Sequence, residues 1–69
     1  MNANQYRDAI EQLGLTQVEA ARLLGVDERT SRRWANDERG IPGPVARFLR
    51  YLIAKKTTGA AAMRVLDGE

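Results

Sequence analysis

The chain has 69 residues, with 11 Lys and Arg against 9 Asp and Glu, no Cys and no His. That length holds one small domain, and because such a domain buries only roughly 60% of its unfolded surface, a deep substrate pocket enclosed by one subunit is not expected. The missing Cys and His exclude disulfides, thiolate metal sites and cysteine nucleophiles, and remove the commonest general base and metal ligand. The hydrophobic fraction of 43% and charged fraction of 29% fit an ordinary soluble globular domain. No apolar run approaches the ~18 residues of a membrane helix. Met1–Tyr6 lacks the basic and apolar regions of a signal peptide, so a cytoplasmic protein without a membrane partner is expected. The net charge of +2 is unevenly spread. Residues 1–21 carry Arg7 against Asp8, Glu11 and Glu19, whereas residues 22–56 carry nine of the Lys and Arg against four carboxylates. The positive field therefore sits in the middle of the chain.

The apolar periodicity reads as helix throughout, with no alternating β-branched run, so the fold is expected to be all-α with four or five helices. A first helix is predicted over about 4–12, capped by Asn2 or Asn4, with Tyr6, Ala9, Ile10 and Leu13 on one face and Gly14 as its left-handed stop. Thr16 to Glu19 form a capping box that starts a second helix, with Leu15 and Ala20 placed for a hydrophobic staple and Gly25 as the stop. Only Val26 separates that stop from Asp27, the N-cap of a third helix over about 28–36. Two short helices joined by a turn of about three residues with a Gly have the spacing of a helix-turn-helix. After a polar turn, Pro44 opens a fourth helix to about Lys56, with Val45, Phe48, Leu49, Leu52 and Ile53 as its apolar stripe. Thr57 to Gly59 break it. Residues 1–58 are thus read as the helix-turn-helix domain with its motif at 16–36. Residues 59–69 are read as a weakly structured tail or a short fifth helix over Ala60 to Leu66, with Asp67 to Glu69 frayed.

On the third helix, Asp27, Thr30, Ser31 and Trp34 share a face expected to pack inward. Arg29, Arg32, Arg33 and Asn36 share the opposite face at i, i+3, i+4 and i+7. Arg29 and Arg33 form a like-charge i, i+4 pair that costs about 0.2–0.5 kcal/mol in water, a repulsion that a facing polyanion relieves. A helix fits the ~12 Å major groove of DNA, where Arg bonds a guanine edge through two hydrogen bonds.

Residues 16–36 resemble the helix-turn-helix of the lambda-repressor-like (Cro/repressor, xenobiotic-response-element) family, and the resemblance extends over about residues 4–56. Ala21 matches the small residue where the two helices cross, Gly25 the turn glycine, Trp34 the large apolar residue late in the recognition helix, and Leu13 to Gln17 the lead-in to the second helix. Two departures stand out. Ser31 occupies a position usually held by a buried Val or Ile, which implies a looser anchor for the third helix, and the turn Asn36 to Gly40 is more acidic than usual.

The resemblance implies a transcriptional regulator, a small bacterial or phage-type repressor, that binds double-stranded DNA as a homodimer without a cofactor or metal. Glu28 and Arg29 are the candidates for reading bases, Arg32 and Arg33 for bases or nearby phosphates, and Gln17 for a phosphate and the start of the recognition helix. Asn36 completes the face. Other readings stand beside these. Glu28 and Arg32 form an i, i+4 ion pair in the favoured order. Trp34 reads as core, and Lys55 and Lys56 complement the negative end of their helix. Arg47 and Arg50 lie off the apolar stripe within reach of backbone phosphates. Asp37 and Glu38 read as a solvated turn without nucleophile, base or pocket, so no enzyme is expected. The outer face of the fourth helix and Ala60 to Leu66 are the surfaces available for pairing. Two rival readings are a protein-interaction module of the same fold that docks on polymerase or another regulator, and a DNA-binding fragment of a transposase or phage packaging machine.

Overall fold

The computed structural model describes residues 1–68 and is all-α, with α1 (Ala3–Gln12), α2 (Gln17–Leu24), α3 (Glu28–Ala35), α4 (Gly43–Ala54) and α5 (Gly59–Leu66). Each start follows from local chemistry. Asn2 caps α1 in a full capping box, its side chain accepting from the Gln5 amide while the Gln5 side chain accepts from the Asn2 amide. Thr16 and Glu19 do the same at α2. Thr58 caps α5 by accepting from the Ala61 amide. At α3 the expected cap is only positional. Asp27 has extended backbone but makes no side-chain bond, and it is exposed instead of packing inward. Pro44 is the second residue of α4, one position later than its sequence suggests, and Pro42 occupies the N-cap.

The first four helices close alike. In each, a residue just past the helix returns its amide to a carbonyl in the last turn, and the residue before it closes the turn: Leu15 to Ile10, Val26 to Ala21, Glu38 to Arg33 and Thr57 to Leu52. That closing residue must take a left-handed conformation. Gly14 and Gly25 do so freely at φ 73° and 70°, while Asp37 and Lys56 do so at 61° and 55° against the cost of a Cβ. Asn36 is consequently the C-cap of α3 and not its last helical residue.

Tyr6, Ala9, Ile10 and Leu13 of α1 meet Ala20 and Leu23 of α2, Trp34 and Ala35 of α3, and Leu49 and Leu52 of α4 in one core. The buried line of α4 is Ala46, Leu49 and Leu52, with Val45, Phe48 and Ile53 packed along its flanks. Small residues at Ala20 and Ala21 let α3 approach α2 closely. Helix α5 packs on α2 with Ala62 buried, Gly59 faces Leu15 in the turn before α2, and the Gly59 amide donates to the Leu13 carbonyl at 2.9 Å. Asp67 caps α5, and Glu69 lies outside the described residues. Among the described residues, no helix is long and apolar enough to cross a membrane.

Candidate nucleic-acid interface

Helix α3 presents two chemically separate faces. Ser31, Trp34 and Ala35 are buried, and Arg29, Arg32, Arg33 and Asn36 are exposed, with Glu28 and Thr30 half-buried between them. Trp34 fixes the inner face, meeting Tyr6 edge to face with ring centroids 5.7 Å apart and planes at 77°. Its indole nitrogen is the one buried side-chain polar atom without a partner among the described residues. At the far end of α3, the Arg7 guanidinium donates to the Ala35 carbonyl and to Asn4 Oδ1. A cation there also complements the negative end of the helix.

Ser31 is fully buried but not apolar in its contacts. Its hydroxyl donates to Gln17 Oε1 at 2.8 Å and lies 2.6 Å from the Tyr6 hydroxyl. A serine has one proton to give, so the Tyr6 hydroxyl donates to Ser31. The chain Tyr6, Ser31, Gln17 thus joins α1, α3 and α2. Ser31 is therefore a bonded anchor, not the loose one its polarity suggests. Burial raises the Tyr6 pKa above the ordinary value.

Glu28, Arg29, Arg32, Arg33, Asn36 and Glu38 line one shallow, open depression along the outer side of α3. Five of the six candidate residues therefore converge. Gln17 is outside that depression, on the first turn of α2, tied to α3 through Ser31. Glu28 and Arg32 form the one ion pair among the described residues. No carboxylate of the described residues pairs with Arg29 or Arg33, so two guanidiniums are free and a third is held. Arg47 and Arg50 are exposed on α4, away from this depression, and Lys55 Nζ lies 5.8 Å from the centre of the Tyr51 ring.

Sequence reasoning missed two parts of this arrangement. Glu38 reaches the depression because the closing turn of α3 folds its backbone onto Arg33, with the amide donating to the Arg33 carbonyl at 2.8 Å. The Ser31 chain was signalled by a hydroxyl on a helix face that must be buried, since such a group needs a partner. Naming Tyr6 and Gln17 as the partners required the crossing of three helices. No group of three or more His, Cys, Asp or Glu side chains among the described residues is placed to hold a metal ion. The Glu19 carboxyl is held below its ordinary pKa by its hydrogen bonds with Thr16, a capping role remote from the depression. Compared with known proteins, the chain matches no family model, no curated protein and no solved structure.

Proposed function

We propose that this chain is a sequence-specific, double-stranded DNA-binding transcriptional regulator of the lambda-repressor-like kind, a small repressor that reads the major groove with α3. One observation carries the reading: Arg29 and Arg33 stand one turn apart on the exposed face of α3, and no carboxylate of the described residues forms an ion pair with either. In this reading Arg29 and Glu28 contact base edges, Arg33 and Arg32 reach bases or the flanking phosphates, and Asn36 closes the row. Gln17 holds a phosphate from α2. One domain with so few reading groups has limited specificity, which two copies on a pseudo-palindrome, one turn or ~34 Å apart, would raise. Val65 and Leu66 on α5, 75% and 56% exposed, offer apolar surface for such pairing.

The test begins with duplexes enriched from a random-sequence pool and measures their affinity across a range of salt. Arg29→Ala is expected to cost about 1–3 kcal/mol on the enriched site and to relax one base preference. Arg33→Ala is expected to weaken binding and to reduce the salt slope by about 0.9 if it holds a phosphate. A wild-type chain that retains no duplex at low salt sinks the proposal. The mixed charge of the depression, with Glu28 and Glu38 among the arginines, favours a second reading as a protein-docking module. That reading predicts capture of a protein partner with little salt dependence and no enriched duplex.

A further inference from the structure

We infer that Ser31 and Tyr6 are positioning residues for Gln17, holding its side-chain amide with the oxygen turned inward and the two N–H donors turned out toward a phosphate. This deepens the DNA-binding reading and rests on it. A glutamine amide carries an acceptor end and a donor end, and unrestrained it presents either one. Here the acceptor is taken, because the Ser31 hydroxyl donates to Gln17 Oε1 at 2.8 Å. Ser31 in turn cannot let go cheaply. It is fully buried, and its oxygen is held from the other side by the Tyr6 hydroxyl at 2.6 Å, itself fully buried. Releasing Gln17 would leave a buried hydroxyl proton without a partner.

Among the described residues, Gln17 Nε2 has no hydrogen-bond partner. Trp34 Nε1 is the one partnerless side-chain polar atom that is buried among the described residues, so Gln17 Nε2 is in reach of solvent. The half-buried side chain is therefore a donor at its exposed end. Donors suit phosphate oxygens, which only accept. The same bond ties the first turn of α2 to the middle of α3, so a phosphate held by Gln17 also registers the arginine face on the duplex. An aliphatic side chain at position 31 would fill the space and leave the amide free to turn.

The first experiment needs no DNA. In the wild-type protein, the Gln17 side-chain amide is expected to be ordered on the nanosecond timescale by heteronuclear NOE, while that of exposed Gln12 is mobile. Its protons should lack NOEs to the Tyr6 ring. In Ser31→Ala the Gln17 amide should become as mobile as Gln12, and Tyr6→Phe, which keeps the ring, should loosen it partly. A mobile Gln17 amide in the wild type, or one whose protons face Tyr6, overturns the proposal even if Ser31→Ala fails to fold.

The second experiment is a double-mutant cycle on an enriched duplex. Gln17→Ala is expected to weaken binding roughly tenfold, as removal of a hydrogen bond to a charged group does. Ser31→Ala should by itself reproduce most of that weakening, about fivefold, and should have no effect when Gln17 is already Ala. Additive losses overturn the positioning role. A wild-type chain that binds no duplex removes the DNA-binding reading instead, and leaves the amide dynamics to judge the hydrogen-bond chain alone.

Discussion

Glu28→Gln separates the two things that Glu28 does on α3. Its bridge to Arg32 joins side chains that are 40% and 61% exposed, so solvent screens it and its worth to the fold is about 0.3–0.5 kcal/mol. The variant should therefore fold, with a melting temperature lowered by about 2–4 °C at most. The electrostatic effect is larger. One negative charge leaves the depression and the Arg32 guanidinium is released. If Arg32 then takes one more phosphate, the slope of log affinity on log salt steepens by about 0.9, and a fourfold rise in salt costs a further factor of about 3.5. Fluorescence anisotropy on a labelled duplex of arbitrary sequence reads this directly, with variant affinity above wild type at low salt and converging on it as salt rises. On the enriched site a second effect acts. If Glu28 accepts from a cytosine amino group, Gln at that position should shift the preferred base toward adenine on reselection. Identical slopes for the two proteins, at unchanged fold, would mean that the released Arg32 meets no phosphate.

Two further predictions concern the frame that carries this face. Gly59→Ala places a Cβ 2.3 Å from Leu15 Cδ2 and 2.5 Å from its Cγ, so Leu15 or α5 must move. The cost is expected to be about 1–3 kcal/mol, and calorimetry should show the melting temperature falling by roughly 4–8 °C per kcal/mol. An unchanged melting temperature would show that α5 is not seated on the turn before α2. Glu19→Gln addresses pH. The Thr16 bonds depress the Glu19 pKa, so this carboxylate stabilises the fold above its unfolded pKa, and that contribution is lost as pH falls through the lower folded value. A neutral Gln still closes the capping box, so the variant should lose stability less steeply than wild type on acidification, as followed by circular dichroism.

What the sequence made legible was governed by local rules. The capping box at Thr16 and Glu19, the stop at Gly25 and the amphipathic stripe of α4 depend on residues within one or two turns, and each is present. Errors fell where a local rule competes with tertiary placement. Asp27 is a good capping residue by type, yet its carboxylate makes no capping bond. The left-handed backbone of Asp37, inside the expected polar turn, and of Lys56, at the expected end of the fourth helix, had no signal in residue type, because it is imposed by helix closures that glycine usually serves. At the candidate site, the separation of Arg29 and Arg33 from the core follows from helical period alone. That Arg32 is held by Glu28 also follows from spacing. The hydrogen bond from Arg7 to the end of α3 spans 28 positions and has no local signature.

The charge pattern and the anchoring of α3 bear on each other. A domain of net charge +2 whose candidate face includes Glu28 and Glu38 cannot draw much affinity from a diffuse positive field. Under the proposed DNA-binding function, discrimination must then come from a few groups held in place, because general attraction is too weak to compensate for a misplaced side chain. The fold places four restraints on α3: Trp34 against Tyr6, Ser31 between Tyr6 and Gln17, Arg7 on the Ala35 carbonyl, and the return of the Glu38 amide to Arg33. Two of them use Tyr6. Its raised pKa gives the corresponding limit: the neutral ring is favoured by burial, so this contribution to stability is present below the unfolded pKa and is lost as pH rises through the folded one. The helix that carries the free arginines is thus held from α1 at its middle and at its C-terminal end, which is the placement that the proposed function requires of a helix with few base-reading groups.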